Sequence, residues 1–243
     1  MAKAPAVVMT CAQVMKELKA MGTEQTRKTW SRHGCAAPMF GVKIGDMKTI
    51  VKKVKANHPL ALELYATGNA DAQYLAGLIA EPKKITDEEL DHWVESATWY
   101  MVSEYAVAWN AAESGRGFDI GKRWIDSYVP HIASAGWSTL SGVVALTPDD
   151  QLKLKEIEKL LARVVKDIKK MPDRVKYSMN NFVISVGAYV APLTDLALAT
   201  AERLGKVEVD MGDTECKVPN AGASIQKIKS MGRVGQKRKT VKC

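Results

Sequence analysis

Apolar residues recur along this chain at alternating spacings of three and four, the period of one helix face, and no stretch reads as a β-hairpin. The longest such row is Leu154, Ile157, Leu161, Val164, Ile168 and Met171, which predicts a core-facing stripe over about five turns. Thr147, Pro148, Asp149 and Asp150 before it read as the start of that helix, with Pro in the first turn and acids near the positive end of the dipole. Earlier in the chain, Thr10 caps a helix whose face is Val14, Met15, Leu18 and Met21, and Thr23 caps a second that runs to Trp30 and His33. After the loop GCAAPMFGVKIG, Asp46 opens a helix with Met47, Ile50, Val51 and Val54 inward. Pro59 opens the next, through Tyr65 to Gly68, and Ala70–Ala80 forms another.

The stretch Thr86–Trp109 joins two helices and holds three of the six tryptophans. Thr86 with Glu89 three residues on is a capping box that places the first of them. The second, from Trp99, is apolar on almost every face and is expected to be the most buried segment. Beyond it come a helix around Ile120–Tyr128, a turn framed by Pro130 and Gly136, and a helix from Trp137 to Leu146. Helices over Arg174–Val190 and Pro192–Leu204 follow the long stripe, then a loop or extended piece, VEVDMGDTECKVP. Asn220 caps a last helix that ends at Gly232, and GQKRKTVKC trails off as a basic, mobile end. About a dozen helices with short connections, none long enough for a simple bundle, predict an all-α chain of paired helices stacked as a solenoid.

Composition narrows the class without changing that picture. A chain of 243 residues, 47% apolar and 26% charged, is an ordinary globular protein with room for a sizeable core. It has no run of eighteen apolar residues to span a membrane, and the short apolar patch in MAKAPAVVMTCAQVMKELK lacks the core of a signal peptide, so the expected location is the cytoplasm. Cys11, Cys35, Cys216 and Cys243 are widely separated, which argues against a zinc site or disulfide framework and suits a reducing compartment. His33 and Cys35 are close, but two residues do not make a metal site; no metal and no cofactor is expected.

Charge changes the picture more. From Lys217 onward there are eight basic residues and no acid, so the 35 basic residues of the chain leave 27 before that point, against 27 acidic ones. The tail carries the whole net charge of +8, an asymmetry that points to a polyanion partner. A second basic feature is the outer side of the Met47–Val54 helix, where Lys48, Lys52, Lys53 and Lys55 stand with no acid between Met47 and Asn57. A single-sign face gains nothing from i,i+4 pairs, which favours an anionic ligand over a merely solvated surface. Lys48, Lys52, Lys55, Arg233, Lys237, Arg238 and Lys239 are therefore the candidate phosphate contacts, on DNA or RNA alike.

The blocks FGVKIGDMKTIVKKV (40–54) and LALELYATGNADAQYLAGLIAEPKKITDEELDHWV (60–94), with the Trp99 helix, resemble the AlkD-type DNA alkylation repair family over roughly residues 25 to 205. The resemblance implies a superhelical stack of HEAT-like antiparallel helix pairs over 1–205, followed by an extension, 206–243, with a short helix and the basic tail. It also implies duplex DNA, damaged or branched, as partner, and a monomer. Active members release purines alkylated at N3 or N7. Such a base is already cationic and needs no general acid. The site needs aromatic faces for cation–π attraction and an anion near the deoxyribose, where positive charge develops.

The resemblance places the first family tryptophan at Trp99 and the aspartate, one helical turn on, at Ser103, whose hydroxyl carries no formal charge. By analogy with removing one preorganised stabiliser, the loss is on the order of 10²–10³ in rate. Two further positions depart: WSTLSGVVAL has Thr139 and Leu140 where basic residues are expected after Trp137, and a later tryptophan falls near Val186. Two carboxylates could compensate, Glu104, turned by about 100° from Ser103, and Glu95, one turn before Trp99. Trp99, Tyr100 and Trp137 are the candidate stacking rings. The expectation is a DNA-binding protein with weak or altered glycosylase activity; the alternatives are a binder of DNA structure without catalysis and a protein–protein scaffold.

Overall fold

The computed structural model describes residues 9–242, and every described element is a helix. The apolar patch of the first eight residues and Cys243 lie outside the described residues. The chain divides into two compact units, one of Met1–Asn110 with Gly212–Thr214 and Lys242–Cys243, the other of Ala111–Met211 with Glu215–Val241.

The first unit holds α1 (Cys11–Met21), α2 (Glu24–Arg32), α3 (Ile44–Val54), α4 (His58–Ala66), α5 (Ala70–Ile79) and α6 (Asp87–Glu95). Thr10 and Thr86 each make both bonds of a capping box and Thr23 caps α2, as the sequence predicts, while Asn57 and Asn69 cap α4 and α5; Thr23, Asn57 and Asn69 each accept from the N–H three residues on. The start of α3 is the exception. It begins at Ile44, two residues before Asp46, with Lys43 as an N-cap that makes no side-chain bond. What fixes it instead is Asp71, fully buried on α5, which accepts the N–H groups of Phe40 (2.6 Å), Gly41 (3.2 Å) and Val42 (2.7 Å). Burial pushes this carboxyl up from the usual carboxylate range, while the three donors hold it down. The FGVK block is thus a loop pinned from below by one buried anion.

From Tyr100 the chain runs into a π-helical stretch, Val102–Val107, which continues as α7 (Ala108–Glu113). Ser103 still takes the ordinary bond, its N–H donating to Trp99 O at 3.1 Å, but the N–H of Ala108 reaches back five residues to Ser103 O. The reason is local. Gly77 on α5 sits so close that a Cβ there would lie 2.4 Å from the Ala106 Cβ, and buried Asn110 donates to both Gly77 O (2.9 Å) and Ala106 O (2.8 Å). A side-chain amide thereby holds a carbonyl at the widened turn. Val102 to Val107 is buried apart from half-exposed Tyr105, as its all-round apolar pattern predicts.

The second unit is built on α8 (Gly117–Trp124), α9 (Pro130–Leu146), α10 (Leu154–Asp167), α11 (Asp173–Tyr189), α12 (Thr194–Leu204) and α13 (Ala221–Ser230). Its core includes Trp137, Leu140, Ile157, Leu161, Val164, Phe182, Val186 and Ile225. Three expectations are corrected here. Gly136 frames no turn: α9 runs unbroken from Pro130, and a Cβ at Gly136 would meet Ile125 N at 2.7 Å, so the glycine serves a close approach to the end of α8. The Pro148–Asp150 signal opens a 3-10 turn, Asp149–Gln151, and α10 starts only at Leu154. The helix expected over Ile120–Tyr128 ends at Trp124, which leaves Tyr128 in a loop.

The largest correction concerns the end of the chain, which is docked. Within the second unit, Gly235 N–H donates to Ala188 O in the last turn of α11, and Arg238 N–H to Ala145 O in the last turn of α9. Lys237 Nζ donates to Val144 O and lies 2.8 Å from Asp149, an ionic approach without hydrogen-bond geometry. The Thr240 hydroxyl and Val241 N–H both donate to Glu113, the last residue of α7, and Val241 is buried beside Gly142. Within the first unit, Lys242 Nζ donates to Ala80 O, at the C-cap of α5. Helix C-termini expose unbonded carbonyls and a partial negative charge, and a cationic strand satisfies both. Two of the tail's cations, Lys237 and Lys242, are spent on the protein itself.

Candidate nucleic-acid interface

The aromatic site predicted around Trp99 is a packed one. Trp99 is 7% exposed, its indole N–H donates to His33 O at 2.8 Å, and its ring lies 4.8 Å from Trp30 and 5.3 Å from Tyr100. Half-buried Tyr100 places its hydroxyl 3.3 Å from His33 Nδ1. Ser103 is fully buried and its hydroxyl donates, at a long 3.4 Å, to the carbonyl of Tyr100. Its place is inside the wall, and it offers neither charge nor an exposed hydroxyl.

The two candidate carboxylates differ. Glu104 is 5% exposed, in the widened turn. Glu95 is exposed, but it does not share a face with Trp99, because the helix between them is interrupted. Buried Gln73 explains the break: its amide donates to Ser96 O (3.1 Å) and accepts from both the N–H and the hydroxyl of Thr98, holding 96–98 as a bend. The one-turn spacing expected between Glu95 and Trp99 therefore fails.

In the second unit, Trp137 is 1% exposed and packs on Phe182, 5.2 Å between centroids, with the Arg163 guanidinium 6.0 Å from its ring. The ring is core and leaves no open face for a base. Thr139 and Leu140, the positions expected to carry basic residues, are fully buried as well. All six tryptophans are buried.

The cations divide into kinds. On α3, Lys48 and Lys52 are exposed with no ion pair, while Lys53 pairs with Glu17 at 2.9 Å. Lys55, exposed at the C-cap, holds φ 58° and ψ −155°, a region occupied almost only by glycine. In the second unit Arg233, Arg238 and Lys239 are exposed on the docked tail, whereas Lys237 is consumed by Asp149 and Val144. Among the described residues no group of three His, Cys, Asp or Glu is placed to hold a metal ion, and no single helix is long and apolar enough to cross a membrane.

Stacked helices with buried aromatics and exposed lysines define a helical-repeat protein with surfaces suited to a polyanion. The comparison with known proteins is then specific. The model of a DNA alkylation repair enzyme matches residues 14–209, and the chain belongs to that family. The uncharacterized proteins Lin0241 of Listeria innocua and Lmo0209 of Listeria monocytogenes are each 33% identical over 229 residues, covering 92% of this chain and 99% of theirs. A solved structure superposes with a TM-score of 0.88 at 41% identity, over 97% of this chain and 100% of that one. It is described as a member of a new family related to the HEAT-like repeat DNA glycosylases with affinity for branched DNA structures. The fold is therefore HEAT-like.

Proposed function

We propose that this protein binds DNA in the cytoplasm, as a monomer, and selects branched or distorted structures without releasing bases. The observation that carries the reading is Ser103, a neutral, fully buried hydroxyl bonded to the carbonyl of Tyr100, at the position that the resemblance assigns to the family's aspartate. No anion faces the deoxyribose from that position to stabilise developing positive charge. The relative described as having affinity for branched DNA supports the choice of partner. Lys48 and Lys52 supply unspent charge, and we assign the 206–243 extension to reinforcing the repeat region.

The test is fluorescence anisotropy of a labelled four-way junction and of a linear duplex of the same length, at two salt concentrations, beside a base-release assay on 7-methylguanine DNA. Junction preference with affinity falling steeply in salt, and no release above the spontaneous rate, is the expected result. Equal binding to both DNAs would remove the structural preference, and no salt-dependent binding would remove the function.

One observation favours a second reading, weak glycosylase activity. Glu104 is a buried carboxylate in a π-helical turn, and such turns concentrate at functional sites. Base release that is abolished by Glu104→Gln and unaffected by Ser103→Ala would establish it in place of the first.

A further inference from the structure

Resting on that reading, we propose that the loop between α8 and α9 is the element that senses a DNA branch point, with Tyr128 stacking on the open face of a base pair there. Tyr128 is 103% exposed, as open as in a free peptide, and it is followed by exposed Val129 and Pro130. Single exposed apolar residues are common on any surface. Three in succession at one tip, led by an aromatic ring, are a different matter.

The tip is held, not loose. Asp126 N–H donates to Arg123 O at 3.3 Å, Ser127 N–H to Trp124 O at 3.0 Å, and Val129 N–H to Ser127 Oγ at 3.1 Å. Pro130 fixes the first turn of α9, where the N–H groups of Ile132 and Ala133 both reach Val129 O. From α10, Arg163 grips the base of the loop, donating to Asp126 at 2.6 Å and to Ile125 O at 3.0 Å. A rigid mount matters because a ring already fixed in place loses little further freedom on binding.

The alternatives for a stacking ring are few. All six tryptophans are buried, and of the seven tyrosines Tyr128 alone is exposed. Its surroundings suit nucleic acid. Lys166 stands one turn beyond Arg163 on the same face of α10, Lys169 and Lys170 follow in the 3-10 turn, and all three are exposed without ion pairs. Lys169, with Lys176 and Lys206, also borders a cleft of about 280 Å³. Lys176 and Lys206 pair with Asp173 and Glu208, both at 3.1 Å, so it is Lys166, Lys169 and Lys170 that can hold phosphates of an arm leading away from the tip.

The chemistry then separates branched from linear DNA. In continuous duplex every base pair is covered on both faces, and inserting a ring costs unstacking of a few kcal/mol. At a branch point base-pair faces are open or easily opened, and stacking on one gains energy without that cost. An aromatic wedge therefore contributes to binding at junctions and almost nothing on linear duplex.

The experiment compares wild type, Tyr128→Ala and Tyr128→Phe on a four-way junction and a linear duplex, with 2-aminopurine at the branch point in a parallel set. Because Tyr128 is fully exposed, neither substitution should shift the unfolding midpoint. The expected result is an affinity loss of about tenfold for the junction with Tyr128→Ala, none for the duplex, and retention with Tyr128→Phe. The 2-aminopurine signal should be quenched by wild type and by the Phe variant only. Wild-type junction binding that Tyr128→Ala leaves unchanged, or weakens equally on both DNAs, overturns the wedge and leaves the proposed function standing. Wild type that fails to prefer the junction overturns the proposed function itself.

Discussion

Two basic segments of this chain give the same signal in sequence and are held in different ways. The α3 face carries Lys48 and Lys52 into solvent unpaired, on a helix whose backbone is already satisfied. The 233–242 segment has no secondary structure of its own, so its N–H groups need acceptors, and it finds them at the C-terminal ends of helices. A run of lysines on a formed helix can do little but face outward. The same run on an irregular strand is drawn to the protein's own carbonyls. Unsatisfied backbone, more than charge count, decides that this segment docks, and it takes Lys237 and Lys242 with it while Arg233, Arg238 and Lys239 stay exposed.

The contrast breaks most readily at Asp149. Its carboxylate holds Lys237 and accepts from Ala191 N–H, with both side chains less than one-third exposed. Asp149→Ala should therefore lower stability by about 2–3 kcal/mol. A urea midpoint that does not move would show the tail to be decoration. The reverse holds for Lys48→Glu with Lys52→Glu: the midpoint should stay fixed, while junction affinity falls about tenfold and the log–log salt slope flattens by about 1.8. An unchanged slope would mean that α3 touches no phosphate.

Lys55 sharpens the comparison, because it combines an exposed cation with a glycine-like backbone. Lys55→Gly should raise stability by about 1 kcal/mol while weakening DNA binding slightly. Thermal melts that show no gain would place the strain elsewhere. The smallest effect belongs to a third kind of lysine, the paired surface one. Hydrogen bonds from Lys122 and Lys159 lower the Glu156 carboxyl to about 2, below its unfolded value of 4.5. A depressed acid contributes stability that is present above 4.5 and lost as pH falls toward 2. Glu156→Gln should thus cost slightly at neutral pH and nothing near pH 2, which acid-series melts would test.

Most helices were legible in the sequence because their signals are local: Thr10, Thr86 and Asn220 cap where caps are expected. Gly136 was misread because a turn glycine and a close-contact glycine look alike until the neighbour, Ile125, is in place. The π-helical turn depends on Gly77 and Asn110, thirty-three residues apart in sequence, and no periodicity announces it. The geometry of the candidate site was illegible in the sequence. The burial of Trp99 and Trp137 reflects Trp30, His33 and Phe182 closing over them. Tyr128 was hidden by an expected helix that ends four residues earlier.

A stack of helical repeats stabilised only through nearest neighbours can fray from either end, one layer at a time. The docked tail changes that rule in the second unit. It ties the ends of α7, α9 and α11 through contacts spanning 47 to 128 residues of sequence, so layers that are not consecutive share one clasp. The unit should therefore open all at once, and native-state hydrogen exchange should find one common free energy for the amides of α9 and α11. Lost anchoring at Glu113 or Asp149 would return it to stepwise opening.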